Sequence, residues 1–144
     1  MEISLVEGEK AFVDTSAFYA LMDRSDRNHG RAGKLWAALL ESGFALVTSN
    51  YVILETLALL QNRLGFDAAS LWYRDVLGLA GSVWIDETVH RSAYELWLSI
   101  GKRKLSMVDC TSFTLMRRLL VERVFAFDKH FQQQGFEGLS NVVP

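Results

Sequence analysis

A chain of 144 residues, half of them hydrophobic, has the length of one domain and ample material for a core, which excludes a disordered or fibrous protein. Seventeen acids against fifteen Lys plus Arg leave a net charge of −2, so the chain is not the strongly basic kind that binds nucleic acid without discrimination. A local basic patch is still compatible with that balance. The single Cys110 cannot form an internal disulfide and points to a reducing compartment. Met1 to Lys10 carries Glu2, Glu7 and Glu9 and lacks the cationic and apolar regions of a secretory signal. No apolar run approaches the ~18–20 residues needed to cross a bilayer. A soluble, cytoplasmic protein with no membrane association is expected.

In chain order, short β-type runs alternate with helical windows. Residues 11–14 read as a strand, 15–23 and 28–41 as helices, 44–48 as a strand, and 50–64 as a helix ending near Gly65. Residues 67–78 read as a helix, 82–86 as a strand, 87–100 and 106–121 as helices, and 123–127 as a strand. A last short strand is expected around residues 139–143. The only Pro is at position 144, and neither a linker nor an internal repeat divides the chain, so residues 1–144 read as a single domain. The alternation predicts an α/β fold of three layers, with a parallel sheet of four to five strands covered by helices. Strands apolar throughout, rather than at alternate positions, fit a sheet buried on both faces.

Four carboxylates stand in apolar settings. Asp14 ends Ala11-Phe12-Val13, Glu55 interrupts Tyr51 to Leu60, Asp109 follows Leu105 to Val108, and Asp128 ends Val124 to Phe127. Right-handed crossovers bring the carboxyl ends of parallel strands to one rim, where open α/β sheets bind ligands. Asp14 and Asp128 end strand-like runs and so belong to that rim. Each carboxylate also has an ordinary reading. Asp14 can cap the helix after it, Asp128 can cap a turn through Lys129 to Gln132, and Asp109 forms a capping-box pattern with Ser106. Glu55 has no such role. It lies mid-helix on a stripe expected to face the core, and its neighbours Tyr51, Val52, Ala58 and Leu59 include no base. A buried acid without a partner takes up a proton or recruits a cation. An all-oxygen cluster suits Mg²⁺ or Mn²⁺, and one thiol with scattered histidines argues against zinc. Asp86, the one rival for the rim, is expected to cap the following helix.

The segments Phe12 to Phe18, Thr48 to Glu55, Ser106 to Cys110 and Phe125 to Phe131 resemble those of the PIN domain, most nearly the VapC-type ribonuclease toxins of toxin–antitoxin pairs. The resemblance runs from about residue 10 to 139. It implies a PIN-like sandwich and a metal-dependent endoribonuclease that leaves a 5′-phosphate and a 3′-hydroxyl. Asp14 and Asp109 would be the principal ligands of Mg²⁺ or Mn²⁺, Asp128 would complete the set, and Glu55 would act directly or through water. Ala126 stands where many members carry Ser or Thr; Thr15 or Ser16 is left to supply a hydroxyl near the metal. The resemblance also implies an RNA substrate, a homodimer, and a small antitoxin covering the site.

Basic residues must carry the RNA backbone past an acidic site. Lys102, Arg103 and Lys104, just before the Asp109 helix, are the first candidates, and Arg24, Arg27, His29 and Arg31 form a second cluster. The competing reading of either cluster is a solvated loop. His130 is expected to pack beside Phe131 rather than to touch substrate, Trp36, Trp72, Trp84 and Trp97 to serve as core or dimer contacts, and Arg117 and Arg118 to pair with Glu122 or face solvent. Rival functions fit less well. A phospho-receiver needs an acidic pair after its first strand, which Asp14 lacks, and a haloacid-dehalogenase phosphatase needs Asp-x-Asp where this chain has Asp14-Thr15-Ser16. A non-catalytic α/β module and a housekeeping RNA-processing nuclease remain the alternatives to the toxin.

Overall fold

The structure, a computed structural model, describes residues 9–141. Five strands form one sheet in the order β3-β2-β1-β4-β5, all parallel: β1 (Lys10–Val13), β2 (Ala45–Ser49), β3 (Gly81–Val83), β4 (Arg123–Phe125) and β5 (Glu137–Gly138). Seven α-helices flank it: α1 (Thr15–Met22), α2 (His29–Glu41), α3 (Asn50–Leu64), α4 (Phe66–Leu71), α5 (Glu87–Ile100), α6 (Met107–Leu119) and α7 (His130–Gln133). The expected three-layer α/β sandwich is the one observed.

The central strand β1 is apolar because it has no exposed face: Ala11, Phe12 and Val13 are all fully buried. Phe12 aligns with Val47 on one side and Val124 on the other, and Val13 with Phe125. The edge strands β3 and β5 are only three and two residues long, too short to template a further chain. Trp72, Phe18, Phe113, Phe125 and Phe131 fill the core, Phe18 meeting Trp72 edge-on at 5.0 Å.

Helix ends follow local chemistry. Ser49 caps α3 through Val52 N, and Asp86 caps α5 as expected, accepting from Val89 N at 2.9 Å. Gly101 ends α5 in the left-handed region at φ 60°.

Several expectations are corrected. Residues 67–78 are not one α-helix: after α4 the chain makes a π turn over Trp72–Val76, Leu77 N bonding Trp72 O, and then a 3₁₀ turn over Leu77–Leu79. The wide turn puts residues five apart on one face, and both Trp72 and Leu77 are buried. β3 stops at Val83 because Ile85 N donates to the Asn50 side chain at 2.7 Å, leaving Trp84 71% exposed. The last strand lies at Glu137–Gly138, and Leu139–Asn141 is a 3₁₀ turn; residues 142 and 143 of the expected strand lie outside those described. Of the two expectations for Arg117 and Arg118, facing solvent is the one observed: both are exposed, Arg117 touching Gln134 and the Phe136 ring and Arg118 touching Ser92. Among the described residues, no helix is long and apolar enough to cross a membrane.

Candidate active site

Asp14 leaves the end of β1 and starts α1. Its backbone N–H continues the sheet by donating to Phe125 O at 3.0 Å, which fixes the residue against β4. Its Oδ2 accepts from Ser16 N at 3.1 Å and from the Ser16 hydroxyl at 2.8 Å. Only 3% of the residue is exposed, and burial, reinforced by the charges of Asp128 and Asp109 and opposed by the Ser16 bonds, pushes its carboxyl up to about 7.

Asp109 occupies the first turn of α6 in a complete capping box: its Oδ2 accepts from Ser106 N at 3.1 Å while Asp109 N donates to the Ser106 hydroxyl at 3.0 Å. Asp128 lies between β4 and α7, its Oδ1 accepting from His130 N at 3.0 Å. Burial first, then Asp109, raises its carboxyl. Glu55 reaches in from α3. Burial raises it most, Asp109 and Asp128 push the same way, and a bond from the Thr15 hydroxyl pulls against them.

The capping roles and the convergence are both real, because a carboxylate oxygen has more than one lone pair: Asp109 Oδ2 and Asp128 Oδ1 accept their cap bonds and still face His130 Nδ1. The partial positive charge at the starts of α1 and α6 also offsets some of the repulsion among the acids. The expected burial of Glu55 in the core is corrected: the apolar stripe of α3 is Val52, Ile53, Thr56 and Leu60, and Glu55 is half-buried beside it.

His130 is the residue that sequence reasoning placed wrongly. Phe131 takes the core position, and the His130 ring turns to the carboxylates, Nδ1 lying 3.7 Å from Asp109 Oδ2 and 3.9 Å from Asp128 Oδ1. The signal available was its offset of two from Asp128 at the start of a helix.

The basic candidates divide. Arg27 and Arg31 line a cleft of about 440 Å³ together with Phe127, Asp128, Lys129 and Gln132, so Asp128 is the carboxylate it shares with the acidic cluster. Arg31 also reaches the Ser140 carbonyl and lies 5.8 Å over the Phe127 ring. Arg24 is exposed on the turn between α1 and α2, and His29 Nδ1 is committed to Ala20 O at 2.8 Å. Lys102 and Arg103 line a different hollow with Trp97, Leu98 and Leu105, and Lys104 is exposed beside it.

The donor set fits a hard divalent cation. Among the described residues, none of the four carboxylates has a Lys or Arg ion-pair partner. Asp14, raised to about 7 by burial first and by Asp128 and Asp109 besides, has no cation beside it among the described residues to offset either. Carboxylate oxygens of Asp109 and Asp128 and a His130 nitrogen lie within 4.8 Å of one another, the spacing of donors around one ion.

A parallel sheet with a cluster of carboxylates at its carboxyl rim defines a class, and the PIN domain model matches residues 11–137: the chain belongs to the PIN-domain family, whose members are metal-dependent nucleases. The chain is 35% identical over 128 residues to the "23S rRNA-specific endonuclease VapC20" from two strains of Mycobacterium tuberculosis, a match spanning 87% of this chain and 94% of the relative. The crystal structure of Mycobacterium tuberculosis VapC20, described as a sarcin-ricin loop cleaving toxin, superposes with a TM-score of 0.80 at 34% identity, over 88% of this chain and 95% of that one. The expectation of an endoribonuclease of the toxin kind therefore holds.

Proposed function

We propose that this chain is the toxin of a type II toxin–antitoxin pair and cuts one phosphodiester in the sarcin-ricin loop of 23S rRNA, with Mg²⁺ or Mn²⁺ held by Asp14, Asp109 and Asp128. The observation that carries the reading is the convergence of four carboxylates, with Asp14, Glu55 and Asp128 raised by burial and by the charges of their neighbours; Asp128 also borders a cleft lined by Arg27, Arg31 and Lys129. The choice of RNA rests on the relative's specificity at 35% identity across most of both chains.

A divalent ion supplies an acidified water and polarises a phosphoryl oxygen. The protein's own residues do the rest. Ser16 holds Asp14 to one orientation, and the capping box holds Asp109. Glu55, the carboxylate with no cap to serve, would accept the proton of the attacking water. Arg27, Arg31 and Lys129 neutralise backbone phosphates leading into the cleft. A homodimer, and a small antitoxin occupying the acidic cleft, complete the reading.

The test incubates the purified chain with 23S rRNA and with transfer and messenger RNA, with Mg²⁺ or Mn²⁺ and with a chelator, and maps the ends. One cut within the sarcin-ricin loop, bearing a 5′-phosphate, is expected. It should vanish with chelator and fall at least ~100-fold in Asp14→Asn and Glu55→Gln. Intact 23S rRNA beside efficient cleavage of another RNA would overturn the substrate assignment. Undiminished cleavage by both variants would overturn the site.

A further inference from the structure

The His130 ring has no hydrogen-bond partner for its Nδ1 among the described residues, although that atom is shielded from solvent. A buried polar atom left unpaired costs on the order of 1–3 kcal/mol, so its position calls for an explanation. Hydrogen bonding to the carboxylates does not provide one, since 3.7 Å and 3.9 Å exceed hydrogen-bond range. Those separations match two donors on one ion: at metal–ligand distances of about 2.1 Å, ligands stand roughly 3 to 4.2 Å apart.

The ring is also held there. His130 N is bonded to Asp128 Oδ1, and the next residue, Phe131, is fully buried against Phe113 at 5.1 Å. A side chain whose backbone is anchored on both sides, with its nitrogen facing two carboxylates, is presented to a ligand before the ligand arrives.

Building on the metal-nuclease reading of this site, we propose that His130 Nδ1 is a direct ligand of the bound ion alongside Asp109 and Asp128, and that it biases the site toward Mn²⁺ over Mg²⁺. The bias follows from donor chemistry. Mg²⁺ takes oxygen ligands and keeps its waters, whereas imidazole nitrogen is a good donor to transition-metal ions. With His130 in the set, the site offers one nitrogen among its oxygens.

The experiment adds Mn²⁺ to the metal-free full-length chain and records pulsed electron paramagnetic resonance, which detects a coordinated imidazole nitrogen directly. Calorimetry then compares Mn²⁺ and Mg²⁺ binding in the wild type and in His130→Gln, with melting curves to confirm folding. A nitrogen coupling is expected in the wild type and absent in His130→Gln. Mn²⁺ affinity should fall by about tenfold or more in the variant, with Mg²⁺ affinity changed much less. The wild-type spectrum stands by itself if the variant folds poorly. Mn²⁺ bound without nitrogen coupling overturns the proposal, leaves the carboxylate site standing, and makes the ring an ion-pair partner only. An unchanged Mn²⁺ to Mg²⁺ ratio in His130→Gln overturns the selectivity. Failure of the wild type to bind either ion overturns the metal-nuclease reading together with this proposal.

Discussion

Ser16 and Phe127, from opposite ends of the chain, are joined through one hydroxyl: Phe127 N donates to Ser16 Oγ at 2.9 Å, and the same hydroxyl donates to Asp14 Oδ2 at 2.8 Å. The segment bearing Asp128 is thereby tied to Asp14. Ala126, where many family members carry Ser or Thr, has no hydroxyl to give, and Ser16 supplies one from across the site. Ser16→Ala leaves the Phe127 amide without its partner and frees Asp14 to rotate. Denaturant unfolding should show a loss of roughly 1–3 kcal/mol, and calorimetry a weaker divalent-ion site. Unaltered ion affinity in a destabilised Ser16→Ala would mean that the hydroxyl supports the fold alone.

The raised carboxyl of Asp14 sets the pH dependence of the metal-free protein. With its folded value near 7 against an ordinary 3.8, the folded state binds more protons across that interval, so stability falls as pH rises from about 4 to about 7. Glu55 and Asp128 are raised as well and act in the same direction. A displacement of the size seen for Asp14 corresponds to on the order of 2–4 kcal/mol. Asp14→Asn keeps a capping side chain and removes the charge, so it should melt higher than the wild type at neutral pH without metal. Saturating Mn²⁺ should flatten the pH profile of the wild type, and Asp14→Asn, which lacks the titrating group, should show a flatter profile than the wild type even without ion. Thermal melts across pH, with and without ion, decide it.

Arg27 and Lys129 edge the cleft, while Arg31 is partly committed to the Ser140 carbonyl and the Phe127 ring. Arg27→Gln and Lys129→Gln should each raise KM for RNA by several-fold and lower the salt dependence of binding by about one charge. Arg31→Gln should lose stability as well as affinity. Filter binding over a salt series gives the slopes; a slope unmoved by Arg27→Gln would place the backbone elsewhere, with the Lys102–Lys104 loop next in line.

Leu120 follows α6 in the left-handed region at φ 57° and is 86% exposed. A leucine there carries a Cβ clash and little compensating burial, whereas glycine is the natural occupant. Leu120→Gly is expected to stabilise the chain by about 1 kcal/mol, raising Tm by roughly 2–4 °C without touching the site.

How much of this was legible in the sequence depends on how local each cause is. The strands, helices and their parallel order could be read, since a buried strand such as Ala11-Phe12-Val13 and caps such as Ser106 and Asp86 declare themselves within a few residues. The four carboxylates could be singled out because acids are scarce in apolar runs. Three features could not. The π turn after α4 depends on how Trp72 and Leu77 reach one core, which no local pattern records. The end of β3 depends on Asn50, far away in the chain. The turn of His130 toward the site depends on Phe131 winning the buried position, a competition settled by packing against Phe113.

The register of Val13 against Phe125 has one more outcome. Asp14, Glu55 and Asp109 all precede β4, but until that strand lies beside β1 there is no floor beneath them and no Asp128 to complete them. A nascent or truncated chain lacking β4 therefore holds three of the four acids and only the Arg27 and Arg31 side of the cleft. Such a fragment is expected to cut no RNA, so the activity would arrive only with the last strands of the sheet.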